Sequence, residues 1–256
     1  MELEKYLTKS FATTFKVKPY LSSLFVTVVI GVLFIAGIFA FFFDLIKQFM
    51  LTLGKSALTG QMANSMLGFK LVMALGTGFI IFCVILCILN IIGQAFIFKK
   101  VEAEMESKND GFFERFGASM LLGLKVFVVM IIYYIVVGII GAIIFAIGLI
   151  PYVGLVISII LYVILGLYTI TGFFAIYGFT AKGGIAKGIS ASLTLPFRKI
   201  HLVGYSFIFM IIAMAIGFVL GLLGMIPVLG QILYILGMPI ITTYMMGISY
   251  CMATEE

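Results

Sequence analysis

Charge is what this chain lacks most. Only 10% of its 256 residues are Asp, Glu, Lys or Arg, against roughly a quarter in average soluble proteins. A water-soluble domain of this size exposes a large area that so few charges cannot cover, so a soluble fold is excluded. Histidine is nearly absent: His201 is the only one, and it opens an apolar run, an interfacial position. One histidine and mostly peripheral acids cannot assemble a Ser-His-Asp set, a histidine pair or a thiolate cluster. Neither enzymatic activity nor a metal or other cofactor is therefore expected. Cysteine is scarce too. Cys83 and Cys87 lie four apart in an apolar run and Cys251 stands alone, which argues against a secreted disulfide framework and for buried thiols. Gly54-Lys55-Ser56 matches the tail of a phosphate loop, but Phe49 stands where that loop requires glycine, and no strand precedes it.

What the chain has instead is apolar length. Hydrophobic residues make up 64% of it and the mean hydropathy is +1.30. Six runs reach or exceed the ~20 residues a helix needs to cross ~30 Å of hydrocarbon. They lie at Leu21–Phe43, Leu71–Phe98, Met120–Ile150, Tyr152–Phe179, Leu202–Ile226 and Val228–Met252. None alternates with the period of a barrel strand. The expected fold is all-α, a single transmembrane domain over residues 1–256 with six transmembrane helices. The mixed, charged stretch before the first run, and that run's length, argue against a cleaved signal peptide.

The basic residues set an expected orientation. Thirteen of them (Lys5, Lys9, Lys16 and Lys18; Lys99, Lys100, Lys108, Arg115 and Lys125; Lys182, Lys187, Arg198 and Lys199) fall on one side of the apolar runs. Only Lys47, Lys55 and Lys70 fall on the other. The positive-inside rule puts the thirteen, and both termini, in the cytoplasm of a multi-pass cell-membrane protein. A basic chain also raises nucleic acid as a partner, but this distribution serves topology and excludes it.

An internal repeat organises the second half. Gly148-Leu149-Ile150-Pro151-Tyr152-Val153-Gly154 returns as Gly224-Met225-Ile226-Pro227-Val228-Leu229-Gly230, 76 residues on. The same shift brings Gly141 onto Gly217 and Tyr168 onto Tyr244. Proline ends one helix and opens the next where its missing N–H costs little. Three segments, Phe11-Ala12-Thr13-Thr14-Phe15, Phe116-Gly117-Ala118-Ser119-Met120 and Ile189-Ser190-Ala191-Ser192-Leu193, put small residues between two bulky ones four apart. The stripes Leu3, Leu7, Phe11, Phe15 and Ile185, Ile189, Leu193, Phe197 predict amphipathic helices on the inner leaflet. The chain thus divides into three hairpin repeats (approximately 1–100, 111–182 and 185–253), each led by a cytoplasmic interfacial helix. The outer connection of the first, Asp44–Lys70, is long and mixed, and fits either an amphipathic loop or an interfacial helix or lid.

Candidate functional residues are few, because no ionisable group sits at mid-membrane. Asp44 and Lys47 flank the outer end of the first run, and Lys125 can snorkel. Asn90 and Gln94 share a helix face and fit either a polar cavity or an interhelical contact worth about 0.6 kcal/mol each. Tyr168 and Tyr244, matched by the repeat, fit the same two roles. Gly138, Ala142, Ala146 and Ala213, Gly217, Gly221 form small-residue stripes suited to helix packing.

Three hairpins, each led by an amphipathic helix, with an Ile-Pro-x-x-Gly turn, resemble uncharacterised six-span families. These are the YciC-like membrane proteins and the membrane domain of some glycerophosphodiester phosphodiesterases. The resemblance implies a fold and no activity, since the phosphodiesterase's catalytic domain is absent. The expected function is a non-enzymatic transport or translocation component for a lipid-like or amphipathic substrate. The alternative is a membrane scaffold or accessory subunit. The expected partners are membrane lipids, with other membrane proteins or a second copy of the chain in the scaffold reading.

Overall fold

The structure, a computed structural model, describes residues 2–59, 65–108, 111, 115–151, 153–226 and 229–254. They form seven α-helices and, among the described residues, no strand. These are α1 (Glu2–Thr14), α2 (Val17–Thr59), α3 (Ser65–Met105), α4 (Phe116–Gly148), α5 (Val153–Arg198), α6 (Ile200–Gly224) and α7 (Leu229–Thr254). All but α1 contain a segment long and apolar enough to cross a membrane. These segments turn large side chains outward, among them Phe39, Ile135, Ile160, Val163 and Phe218. Exposed apolar surface on this scale is incompatible with water and natural in lipid. The chain is a multi-pass α-helical membrane protein.

Two helices extend beyond the apolar runs they contain. The connection after Asp44 is not a loop: α2 continues as helix to Thr59, and α3 begins at Ser65, with 60–64 outside the described residues. Residues 44–59 hold no proline and many good helix formers, so nothing stops the helix at the end of the apolar run. The span from Val153 and the amphipathic segment ending at Arg198, numbered together as α5, are two helices that meet at Gly184, whose φ of 73° suits glycine; the break falls between the second and third segments expected from sequence.

The helices form two compact units, residues 1–27 with 91–256, and residues 28–90. In the smaller one, Cys83 and Cys87 are exposed, among outward Ile80, Ile81, Val84 and Ile85, rather than buried as their apolar surroundings suggested. Cys251, in the larger unit, is buried against the Ser10 hydroxyl, 3.8 Å away.

Within the larger unit α7 is central, packing against α1, α5 and α6. Its apolar segment has a mean hydropathy of 1.6, against 2.5 to 2.9 for the other five. A helix wrapped by protein needs less lipid solubility, so α7 can carry Thr242, Thr243, Tyr244, Ser249 and Tyr250. Ser249 Oγ accepts the Gly178 N–H of α5 at 3.1 Å. Helix α1 docks on α7 through Ser10 and Thr14, both fully buried, with Ser10 against Gly247.

The two helix ends that precede the prolines carry the same hydrogen bonds. Leu149 N donates to Ala146 O at 3.2 Å and Ile150 N to Ile147 O at 3.1 Å; Met225 and Ile226 repeat both bonds to Leu222 and Leu223 at 3.2 and 3.1 Å. A Cβ on Gly154 would collide with Ile147 O, and one on Gly230 with Leu223 O. Inside the helix pairs, Tyr133 meets Tyr168 at 6.2 Å between ring centroids and Phe209 meets Tyr244 at 6.3 Å, again 76 residues apart. The buried stripe Val126, Met130, Tyr133 of α4 corresponds to Leu202, Ser206, Phe209 of α6 in the same register.

Candidate functional site

Tyr168 and Tyr244 occupy matched positions but different surroundings. Tyr168, half-buried on α5, donates its hydroxyl to Leu193 O at 2.8 Å, and Phe197 lies 5.4 Å from its ring. Both partners belong to the segment after Gly184. Tyr244 is only 2% exposed, and its hydroxyl has no hydrogen-bond partner in the protein. A buried hydroxyl left unpaired costs about 1–3 kcal/mol, so it is a poor choice for packing alone.

The Tyr244 ring forms part of an apolar cavity of about 450 Å³. Thr8, Phe11, Ala12 and Thr14 of α1 line one side; Ile212 and Ile216 of α6 and Ile240 of α7 line the other. Thr14 donates its own proton to Ser10 O at 2.8 Å, and the Tyr244 hydroxyl lies behind the cavity wall, so the lining is almost wholly apolar. The volume lies within the roughly 300–1,000 Å³ of small-molecule sites. When Phe11 and Phe15 are matched to Ile189 and Leu193, Phe197 corresponds to Pro19. Proline has no ring to lay over Tyr244 as Phe197 lies over Tyr168. Pro239, one residue before Ile240, interrupts the hydrogen-bond ladder of α7 beside the cavity, and Tyr20 donates to the nearby Leu236 O at 2.9 Å.

A second hollow, of about 550 Å³, is polar and basic. Lys9, Ala12, Thr13, Lys16 and Lys18 line it from one side, and Glu104, Met105, Ser107 and Lys108 from the other. Lys16 pairs with Glu104 at 3.7 Å, and Lys108 pairs with Glu106. The Lys108 ammonium holds the Glu106 carboxyl below the usual carboxylate range, chiefly by hydrogen bonding, with a smaller opposing effect of desolvation. From sequence these lysines set topology, and Lys9 and Lys16 also fall on the polar side of the α1 stripe. The stripe pattern of α1 was the available signal that they share a helix side.

Asn90 and Gln94 are not part of either hollow. Asn90 is exposed and Gln94 half-buried, so their shared face looks largely outward. The small-residue stripe of α6 splits its roles. Ala213 is buried, Gly217 faces Ile241 of α7, and Gly221 is exposed beside a third hollow with Gly224, Met225, Tyr234 and Ile235. His201 is exposed at the start of α6, its ring 5.6 Å from Tyr205. Among the described residues no three His, Cys, Asp or Glu side chains gather, and none is assigned to a metal.

No protein-family model, curated protein or solved structure matches the chain. The fold itself defines the class, a multi-pass α-helical membrane protein.

Proposed function

We propose that this chain is a non-enzymatic membrane protein that holds a lipid-like or amphipathic molecule between α1, α6 and α7, as a component of its transport or translocation. The observation that carries this reading is the apolar cavity of about 450 Å³ between these helices, walled by Phe11, Ala12, Ile212, Ile216, Ile240 and the Tyr244 ring. Apolar walls of this size accept an acyl chain. The reading includes three hairpin repeats, supported by the matching helix ends before Pro151 and Pro227 and by the paired Tyr133–Tyr168 and Phe209–Tyr244 contacts. It resembles the layout of the YciC-like group. The reading also includes N-in, C-in topology and interfacial leading helices, supported by the thirteen-to-three division of basic residues and by the exposure of Phe11 and Phe15.

Transfer of a fluorescent phospholipid by the chain reconstituted in vesicles tests it. Ile216→Trp fills the cavity from a half-buried position and should cut the rate at least tenfold while melting stays cooperative. Wild-type protein that moves no lipid, or a variant at full rate, overturns the reading.

The scaffold alternative draws on one observation: Gly138, Ala142 and Ala146 of α4 lie outside the core, with no atom near a Cβ built on Gly138. That stripe suits a helix of another membrane protein or of a second copy.

A further inference from the structure

We infer that the molecule held by the α1–α6–α7 cavity is a phospholipid with an anionic headgroup, its phosphate seated among Lys9, Lys16, Lys18 and Lys108; this rests on the lipid-binding reading above. The two hollows adjoin. Ala12 lines both, with Thr8, Phe11 and Thr14 on the apolar side of α1 and Lys9, Thr13 and Lys16 on the basic side. A molecule crossing α1 at Ala12 thus places a chain against Ile216, Ile240 and Tyr244 and a head against the lysines. Alanine is the small side chain that leaves room for this crossing.

The charge balance selects the head. Four lysines and one carboxylate line the basic hollow, and adding Glu106, which pairs with Lys108, still leaves a positive excess. Among the described residues the other charged groups close by do not reverse it. Lys9 lies 5.9 Å from the Tyr250 ring centroid, Lys182 approaches the same ring at 5.9 Å, and Glu102 is engaged by Lys99 and by Arg115 at 4.0 Å. A zwitterionic head brings its own cation into this field and gains less than a phosphate with an uncharged substituent. Lysine ammoniums suit phosphate as mobile point charges with three donors each. A basic segment at a membrane surface attracts anionic lipid in any case. What sets this site apart is the apolar cavity across one alanine from the lysines.

The test uses the purified full chain in nonionic detergent, titrated with phosphatidylglycerol and with phosphatidylcholine of the same acyl chains. Phosphatidylglycerol should bind at least tenfold more tightly. Combined Lys9→Gln, Lys16→Gln and Lys18→Gln, all at exposed positions, should lower its affinity by about fivefold per lysine and weaken phosphatidylcholine far less. Ala12→Trp, also at an exposed position, should weaken both lipids, and thermal melts identify any variant that has lost its fold. Equal affinity for the two lipids, with both weakened by Ile216→Trp, overturns the headgroup inference and leaves the cavity reading standing. Lysine-dependent preference that ignores both Ile216→Trp and Ala12→Trp overturns the idea of one molecule spanning both hollows, and the cavity reading with it. Displacement of phosphatidylglycerol by millimolar inorganic phosphate identifies a free-anion site and overturns the lipid.

Discussion

Tyr250 of α7 donates its hydroxyl to Glu106 Oε1 at 3.3 Å, just past the end of α3. The ring beneath that bond carries Lys9 of α1 on one contact and Lys182 of α5 on another, each 5.9 Å from its centroid. Lys182 also donates to Ala253 O at 2.9 Å. Groups from α1, α5 and the segment after α3 thus converge on one tyrosine of α7 at the basic end of the larger unit. Cation–π contacts at such sites contribute about 0.5–1 kcal/mol each.

A pH dependence follows from Glu106. Its folded carboxyl titrates below the usual range of about 4.3, held down first by the Lys108 hydrogen bond. The stability it contributes is fully present at neutral pH. That contribution is lost as pH falls below about 4.3 and through the lowered folded value. Melting in detergent from neutral pH down to pH ~3 should show wild type losing more stability than Glu106→Gln. Parallel profiles would remove Glu106 from the account.

Gly172 and Tyr133 form a testable pair. A Cβ on Gly172 would collide with the Tyr133 hydroxyl, which donates to Thr169 O at 3.2 Å. Gly172→Ala should destabilise the protein by about 1–3 kcal/mol through overpacking. Tyr133→Phe in the same chain should restore part of that loss. A double-mutant cycle with no coupling would contradict the geometry.

The matched turns predict matched sensitivities. Gly154→Ala and Gly230→Ala each force a Cβ into a carbonyl of the preceding helix. Both should lower the melting temperature, by similar amounts and by more than the few tenths of a kcal/mol typical of surface changes. One tolerant and one intolerant turn would count against a duplicated hairpin.

Asn90→Leu should leave thermal stability unchanged or slightly raise it, because the amide is exposed on an apolar helix where leucine is favourable. Gln94→Leu should cost more, since Gln94 is half-buried. A large loss on Asn90→Leu would mean that the amide has an essential partner.

Topology is accessible to labelling. A cysteine at Lys187 should react only from the cytoplasmic side and one at Ser56 only from outside, in a background lacking Cys83, Cys87 and Cys251. The reverse pattern would overturn the charge argument.

Which parts were legible in sequence follows from how local each determinant is. Hydropathy acts on one helix at a time, so the six apolar helices could be placed from composition and length. The Gly-x-x-Pro-x-x-Gly turns could be read because proline and glycine act on their own dihedrals. Asn90 and Gln94 show the limit. Their spacing puts them on one face, but nothing in the run says whether that face meets lipid, protein or a cavity. Asp44 onward shows another: a polar stretch after an apolar run reads as a connection, yet helix propensity carries α2 to Thr59.

By itself the sequence determined a membrane-spanning α-helical chain, its two proline turns and the recurrence of tyrosine at 168 and 244. The tertiary structure alone decided that these tyrosines differ. Tyr168 finds a carbonyl and a phenylalanine on the segment after Gly184, while Tyr244 faces a cavity against α1 with its hydroxyl unpaired. The same holds for Lys9, Lys16 and Lys18, which share a hollow with Glu104 and Lys108 from nearly a hundred residues away in the chain. Hydroxyl pairing and charge clustering act over a few ångströms of space. They depend on which helices become neighbours, and packing decides that.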